Sequence, residues 1–441
     1  MPLKICRCGI VGALRRIGFG LAAAGFFAGA GQAQDLYSAT VDAFTIIFEP
    51  ETPPDVSSSS AAQSYNNVED FVDAVLTSEG FASINPEYTL SSGVAVAANF
   101  RGVLINLNYD FGGTALTFSV PELGVTEVFD GGSRVASEDE LDDYLTNNTD
   151  EIVTRILGLL VESTATDPVA GNPNSLQATM VQSDFGVGAG FGGFGTYSFD
   201  NSQRGFTAGP GTQIPGAAAR FGNYSVGDVD GTVISLPLGY TIPLADPRYA
   251  IVLEAPITYV EANGTDSYSI SFGGGFRIPI LNNWAVTPTA RLGTTGSEDV
   301  GSAATLYSLG VTSSYRFDVG SVGFNLANMV NYVATSGGSF EVDDFEIEYD
   351  LANTIFRNGL AIEGETGFEL FGENVTWEGW VVNTMITGDE VFIDNYTDFA
   401  ISFGTQASRN GFTWDAARLG LTYTIGNNDF SRLSVNFGYQ F

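Results

Sequence analysis

The sequence predicts a mainly β protein: a 12-stranded antiparallel transmembrane β-barrel over residues 189–441, behind a small N-terminal α+β domain. Three observations carry this. In the C-terminal half, apolar residues recur at every second position, the period of a strand with two unlike faces. The opposite face is Ser, Thr, Gly, Asn and scattered Arg, where a soluble sandwich would set Lys and Glu against water. The runs also reach about 12 to 16 residues, longer than globular strands and enough to cross a bilayer at a tilt.

Composition removes several classes. The 441 residues hold 51 Asp and Glu against 17 Lys and Arg, with no histidine. Without an imidazole there is no Ser-His-Asp or Cys-His catalyst and no His-ligated metal. The net charge of −34 argues against a nucleic-acid partner, whose phosphates need a positive surface. With 44% hydrophobic and 12% aromatic residues the chain has far more apolar surface than a disordered acidic chain.

Residues 1–33 read as a secretory signal peptide. Lys4, Arg7, Arg15 and Arg16 precede an apolar run from Ile17 to Phe27, and small residues follow up to Ala33. The run is about half the ~20 residues of a spanning helix. Cys6 and Cys8 lie before it, so the mature chain is expected to lack thiols, with 13 basic residues against 51 acidic and a net charge of −38.

Residues 34–163 form the expected α+β domain. Thr40 to Phe48 reads as a strand, and Pro50 to Pro54 with Ser57 to Ser60 as a linker. Val68, Phe71, Val72, Val75 and Leu76 have helical spacing, and the runs 103–109 and 116–120 around Gly112 and Gly113 form a hairpin. Ser137 and Glu140 make a capping box opening a helix toward Leu160, broken around Asn147 and Asn148. Residues 164–188 are a linker, breaker-rich from Asp167 to Pro173, with a short helix over Ser175 to Asp184.

The barrel strands are expected at 189–199, 229–243, 248–261, 266–280, 283–294, 302–317, 320–335, 353–364, 368–386, 392–406, 411–425 and 430–441. The even number suits a closed barrel with short turns on one side, among them Leu244 to Arg248, Leu281 to Asn283 and Gly364 to Gly367. The longest connections, 200–228 and 336–352, fall on the other side. The second carries Glu341, Asp343, Asp344, Glu346, Glu348 and Asp350, which reads either as a solvated acidic loop or as a cation site. Arg277, Arg291, Arg316, Arg357, Arg418 and Arg432 are expected in the lumen. There they make either an anion-attracting constriction or ion pairs, with Glu254, Glu363 and Glu378 as partners.

The ending Asn436-Phe-Gly-Tyr-Gln-Phe441 resembles the C-terminal signal of bacterial outer-membrane proteins, read by the barrel-assembly machinery. That resemblance implies an assembly role for Phe437, Tyr439 and Phe441, localisation in the outer membrane, and outer-membrane lipids and the assembly machinery as partners. Twelve strands in about 253 residues behind an extra domain look like the translocator barrel of autotransporters, in particular solitary ones without a long repetitive passenger. By resemblance the segment before the first strand would be a helix in the lumen. The function expected is an outer-membrane anchor or display scaffold for the N-terminal domain, the alternative being a porin-like diffusion channel with that domain as plug or periplasmic domain. No catalytic residue, metal site or cofactor is expected, and the chain is read as a non-enzyme.

Overall fold

The computed structural model describes residues 36–47, 55–147, 152–191, 214–227, 229–246, 248–336, 340–342, 345–370, 373–405 and 416–440. The N-terminal part is an antiparallel sheet with helices on one face. Its elements are β1 (Tyr37–Ile47), β2 (Asp55–Tyr65), α1 (Val68–Val75), α2 (Ser78–Ile84), β3 (Gly93–Phe100), β4 (Val103–Tyr109), β5 (Leu116–Val120), β6 (Val125–Phe129), α3 (Arg134–Asn147) and α4 (Ile152–Ser163). The sheet order is β2-β1-β3-β4-β5-β6. One face buries Tyr37, Val41, Val96, Leu107 and Phe118 against Phe71, Phe81, Leu141 and Leu160 of the helices.

Ser57 to Ser60 are not a linker but part of β2, paired along their length with β1. A neutral serine run carries no hydrophobic period, so only the partner strand declares it. Ser137 does not open its helix: α3 starts at Arg134, the Ser133 hydroxyl accepts the Ala136 amide, and the Ser137 hydroxyl binds Gly131 and Thr114 instead. The presumed capping serine lies one turn inside.

After α4, a strap of residues 164–175 leads into α5 (Leu176–Ala189), and then comes the barrel. Its strands are β7 (Ile214–Val226), β8 (Val229–Pro243), β9 (Ala250–Ala262), β10 (Thr265–Pro279), β11 (Trp284–Ser297), β12 (Ser302–Val319), β13 (Val322–Thr335), β16 (Ala352–Leu370), β17 (Glu373–Gly388), β18 (Asn395–Thr405), β19 (Ala416–Gly426) and β20 (Ser431–Gln440). A two-stranded hairpin, β14 (Phe340–Val342) with β15 (Phe345–Ile347), lies in the loop after β13 and holds part of the acidic run. Neighbours pair antiparallel all the way round, and β20 closes on β7. Closure satisfies every ladder and leaves no edge, the condition for strands in hydrocarbon. Phe272, Leu292, Leu309, Val311 and Leu433 face outward and are exposed, while their neighbours Ser271, Arg291, Ser308, Thr312 and Arg432 are buried inside.

Two expectations change. The first strand is not 189–199 but β7, so the connection 200–228 is not one long loop; it contains the strand, and β7 and β8 are joined at residues 227 and 228. Gly interspersed with Phe and Tyr over 189–199 gives a strong strand-like pattern in sequence, whereas β7 sends Ala218, Arg220 and Gly222 inward and offers a weaker one. Residues 192–200 lie outside the described residues. The turn set at Gly364 to Gly367 instead lies within β16, where pairing with β17 shifts between Glu365 and Glu369, Gly367 adopts φ 81°, and the hairpin continues to Leu370. A bulge reads as a turn in sequence because both use glycine at positive φ.

Candidate functional site

The lumen is occupied by α5. Every described residue from Leu176 to Phe185 is buried, polar ones included. Ser175 caps the N-terminus through its hydroxyl, and at the other end Asn325 of β13 donates to the Ala189 carbonyl (2.9 Å). Such a helix needs no apolar stripe, because the wall around it is itself polar. Gly188 touches the wall most closely: a Cβ there would come within 2.3 Å of the Thr312 side chain.

Asp184 is the electrostatic centre of the helix. Its carboxylate meets Arg291 Nε (2.9 Å), Ser308 Oγ (2.6 Å) and Asn331 Nδ2 (3.0 Å) from three successive strands. Arg291 also reaches Glu254 Oε2 at 3.2 Å. Ionised groups so enclosed persist only when paired and hydrogen-bonded. Opposite, Gln182 Oε1 accepts from Arg220 (3.1 Å), and Asn353 donates to Gln177 (3.0 Å). Arg357 lies over the Phe185 ring at 5.1 Å and donates to Asp398 (3.0 Å). Arg432 contacts Asp398 at 3.5 Å and donates to Asn174 of the strap at 2.6 Å.

Of the six arginines singled out in the sequence, Arg291, Arg357 and Arg432 therefore hold the helix and strap. Arg316 pairs with Glu363, and Arg418 approaches Glu378 at 3.5 Å. Arg277 is buried in β10 near the turn end of the barrel. These contacts follow the ion-pair alternative; no ring of arginines around an open constriction appears among the described residues. Sequence reasoning missed Asp184, Asp398 and Arg220. Asp184 carried a readable signal, as the lone acid of a helical segment next to a barrel with inward arginines. Phe437 is exposed on the outer wall; Phe441 and the side chain of Tyr439 lie outside the described residues.

A second polar centre joins the N-terminal domain to the barrel rim. The two-residue β3–β4 turn puts Arg101 and Gly102 at φ 54° and 102°, the positive values a tight hairpin requires. Arg101 thereby reaches Asp167 of the strap (3.1 Å) and Ser302 of β12 (3.0 Å). Tyr349 donates to Asp167 (3.0 Å) and meets Ser302 (2.7 Å). Burial works most strongly against the Arg101 charge, but Asp167, Tyr37 and Tyr349 together offset it and the pKa is raised; burial and the same carboxylate raise Tyr349 well above its usual value. The joint continues in the backbone: Phe392 and Ile393 amides donate to Val161 and Gly171 carbonyls (2.9 and 3.0 Å). An apolar cluster of Ala165, Tyr224, Ile393, Tyr396 and Phe430 seals it.

No family model matches the sequence, and no curated protein does. Among solved structures the barrel is similar to the beta domain of the Bordetella autotransporter BrkA, at 14% identity and TM-score 0.40, covering 52% of this chain and 99% of that one. The translocator domain of the autotransporter NalP from Neisseria meningitidis matches at 12% identity and TM-score 0.41, covering 55% and 92%. The KdgM porin in complex with disordered oligogalacturonate matches at 7% identity and TM-score 0.31, covering 51% and 99%. LpxR from Salmonella typhimurium, an outer-membrane enzyme barrel, matches at 11% and 0.34, covering 52% and 99%. That finding corrects the expectation of a non-enzyme: anchors, pores and an enzyme share this kind of barrel, and function resides in sites placed on a fold. The chain forms a closed 12-stranded antiparallel β-barrel with an apolar outer wall, and its fold resembles autotransporter translocator domains.

Proposed function

We propose that the chain anchors its N-terminal domain in the outer membrane and holds it on the outer face. One observation carries this reading: the domain rests on the rim formed by the β11–β12, β13–β16 and β17–β18 loops, opposite the end that bears Gln440 and the β8–β9 and β10–β11 turns. At the second end the β8–β9, β10–β11, β12–β13 and β16–β17 turns are short, as periplasmic turns are, and the longest connection between barrel strands, the acidic β13–β16 loop, lies at the domain end. The strap and α5 then run through the lumen, tethering the domain by the same chain that forms the wall.

The test is labelling of intact cells. A cysteine at exposed Leu90, introduced with Cys6 and Cys8 replaced by serine, reacts with a membrane-impermeant maleimide without lysis if the domain is displayed. Reaction only after lysis sinks the proposal.

A further inference from the structure

The lipid-facing wall contains a defect. On β13 the outward residues run Phe324, Leu326, Asn328, Val330, Tyr332. Tyr332 lies tilted against Tyr307 (6.3 Å) toward one end and Phe324 stacks on Phe317 (5.1 Å) toward the other, which marks the two aromatic levels of the wall. Asn328 lies four residues from each, about 13 Å along the strand, at the centre of the hydrocarbon. Directly across the ladder is Asn358 of β16, also exposed, and across from that is Asn383 of β17. Asn383 bonds to Asn395 and Thr397 of β18. Asn328 and Asn358 have no side-chain hydrogen bond among the described residues. Even if they bonded to each other, each amide would keep a donor and an acceptor toward lipid. On its other side Asn328 faces outward Ser313 of β12, which accepts from Trp284 Nε1 (2.9 Å), and beyond this polar patch the outward wall carries Phe272, Leu292, Val311, Leu421 and Val435.

A carboxamide in hydrocarbon without a partner is costly, and polar side chains at that depth face protein far more often than lipid. We propose that the β13–β16–β17 wall is the interface of a homodimer, in which Asn328 and Asn358 of one copy bond to the same pair of the other. A second copy fits for three reasons. It is inserted in the same orientation, and a two-fold axis along the membrane normal preserves depth, so the asparagines meet. A carboxamide is both donor and acceptor and so complements itself. The outward side chains of this wall between the aromatic levels carry no charge, so two strongly acidic chains approach here without close repulsion.

The full chain is expressed in outer membranes with Cys6 and Cys8 replaced by serine and one cysteine introduced, either Val330→Cys beside the asparagines or Leu238→Cys on the opposite wall. Mild oxidation of the membranes should give a disulfide dimer for Val330→Cys and at least tenfold less for Leu238→Cys. Adding Asn328→Leu and Asn358→Leu to Val330→Cys should lower the dimer at least fivefold, while the barrel stays folded, as judged by the mobility difference between heated and unheated samples. Absence of the dimer, equal yields from the two walls, no effect of the leucines, or a cross-linked band containing a different protein would each overturn the proposal.

Discussion

At Phe272 and Ser271 the side chain alternates between two solvents within one residue. Phe272 is 62% exposed on the outer wall and Ser271 3% exposed in the lumen. Phe272→Arg is expected to cost ~2–4 kcal/mol near the bilayer midplane and to reduce the folded barrel recovered in lipid vesicles. Ser271 has a filled lumen before it: its hydroxyl accepts from Arg291 (3.3 Å), and the adjacent β11 backbone lies against Leu176 and Met180. Ser271→Arg should therefore leave a closed barrel but displace α5, seen as faster proteolysis of 176–189 in a chain that still shifts on heating. Asp184→Asn removes the charge that pairs with Arg291 and should cost about 3–5 kcal/mol, as breaking a buried pair does, measured as a lower urea midpoint. The inward arginines were legible because alternation assigns a face to every residue. Glu254, Glu363 and Glu378 on nearby strands were legible as partners too, but Asp184 and Asp398 were not, because they reach Arg291, Arg357 and Arg432 from the lumen helix and from a non-adjacent strand, at separations that no local pattern encodes.

At the level of elements, strands with strong contrast between faces were read nearly to the residue, β10 and β12 among them. β2 was lost because its serines have no apolar face, and β7 because its inward alanines blur the contrast. α5 was read short, at 175–184 rather than Leu176–Ala189, since Gly186 and Gly188 look like breakers until the wall that demands small residues is present. The joint between α4 and the β17–β18 loop adds a dependence on pH. Glu162 has a raised pKa through hydrogen bonding with Glu390, followed by burial and by repulsion from the same group. The docked state therefore binds a proton more tightly than the undocked one. Its stabilisation is complete below the ordinary glutamate range and is lost as pH rises through the raised value. Hydrogen-exchange protection of the Phe392 and Ile393 amides should fall from pH 4 to pH 8, and less steeply in Glu162→Gln. Parallel pH profiles would remove Glu162 from the joint.

In the whole molecule, barrel, helix and domain share side chains to the point that no part is a passive container. Phe430, which the sequence sets at a loop end of the last strand, is buried against Tyr224 (6.1 Å) in the rim cluster. Phe430→Ser should therefore loosen the domain and leave the barrel assembled. The same consideration bears on conduction. A helix of 14 residues spans about 21 Å, most of the hydrocarbon thickness, and it is bonded to the wall on several sides while the domain covers one rim. The intact chain is expected to show rare, small conductance steps in planar bilayers. Gly188→Trp places an indole where even a methyl would strike Thr312, so the C-terminal turn of the helix cannot seat and the Asn325 bond to Ala189 is lost. The expected outcome is at least a tenfold rise in mean conductance with heat-shifted mobility retained. High conductance in the unaltered chain would mean that the helix leaves the lumen readily, and the tether would then have to be sought in the rim joint of Arg101, Asp167 and Tyr349.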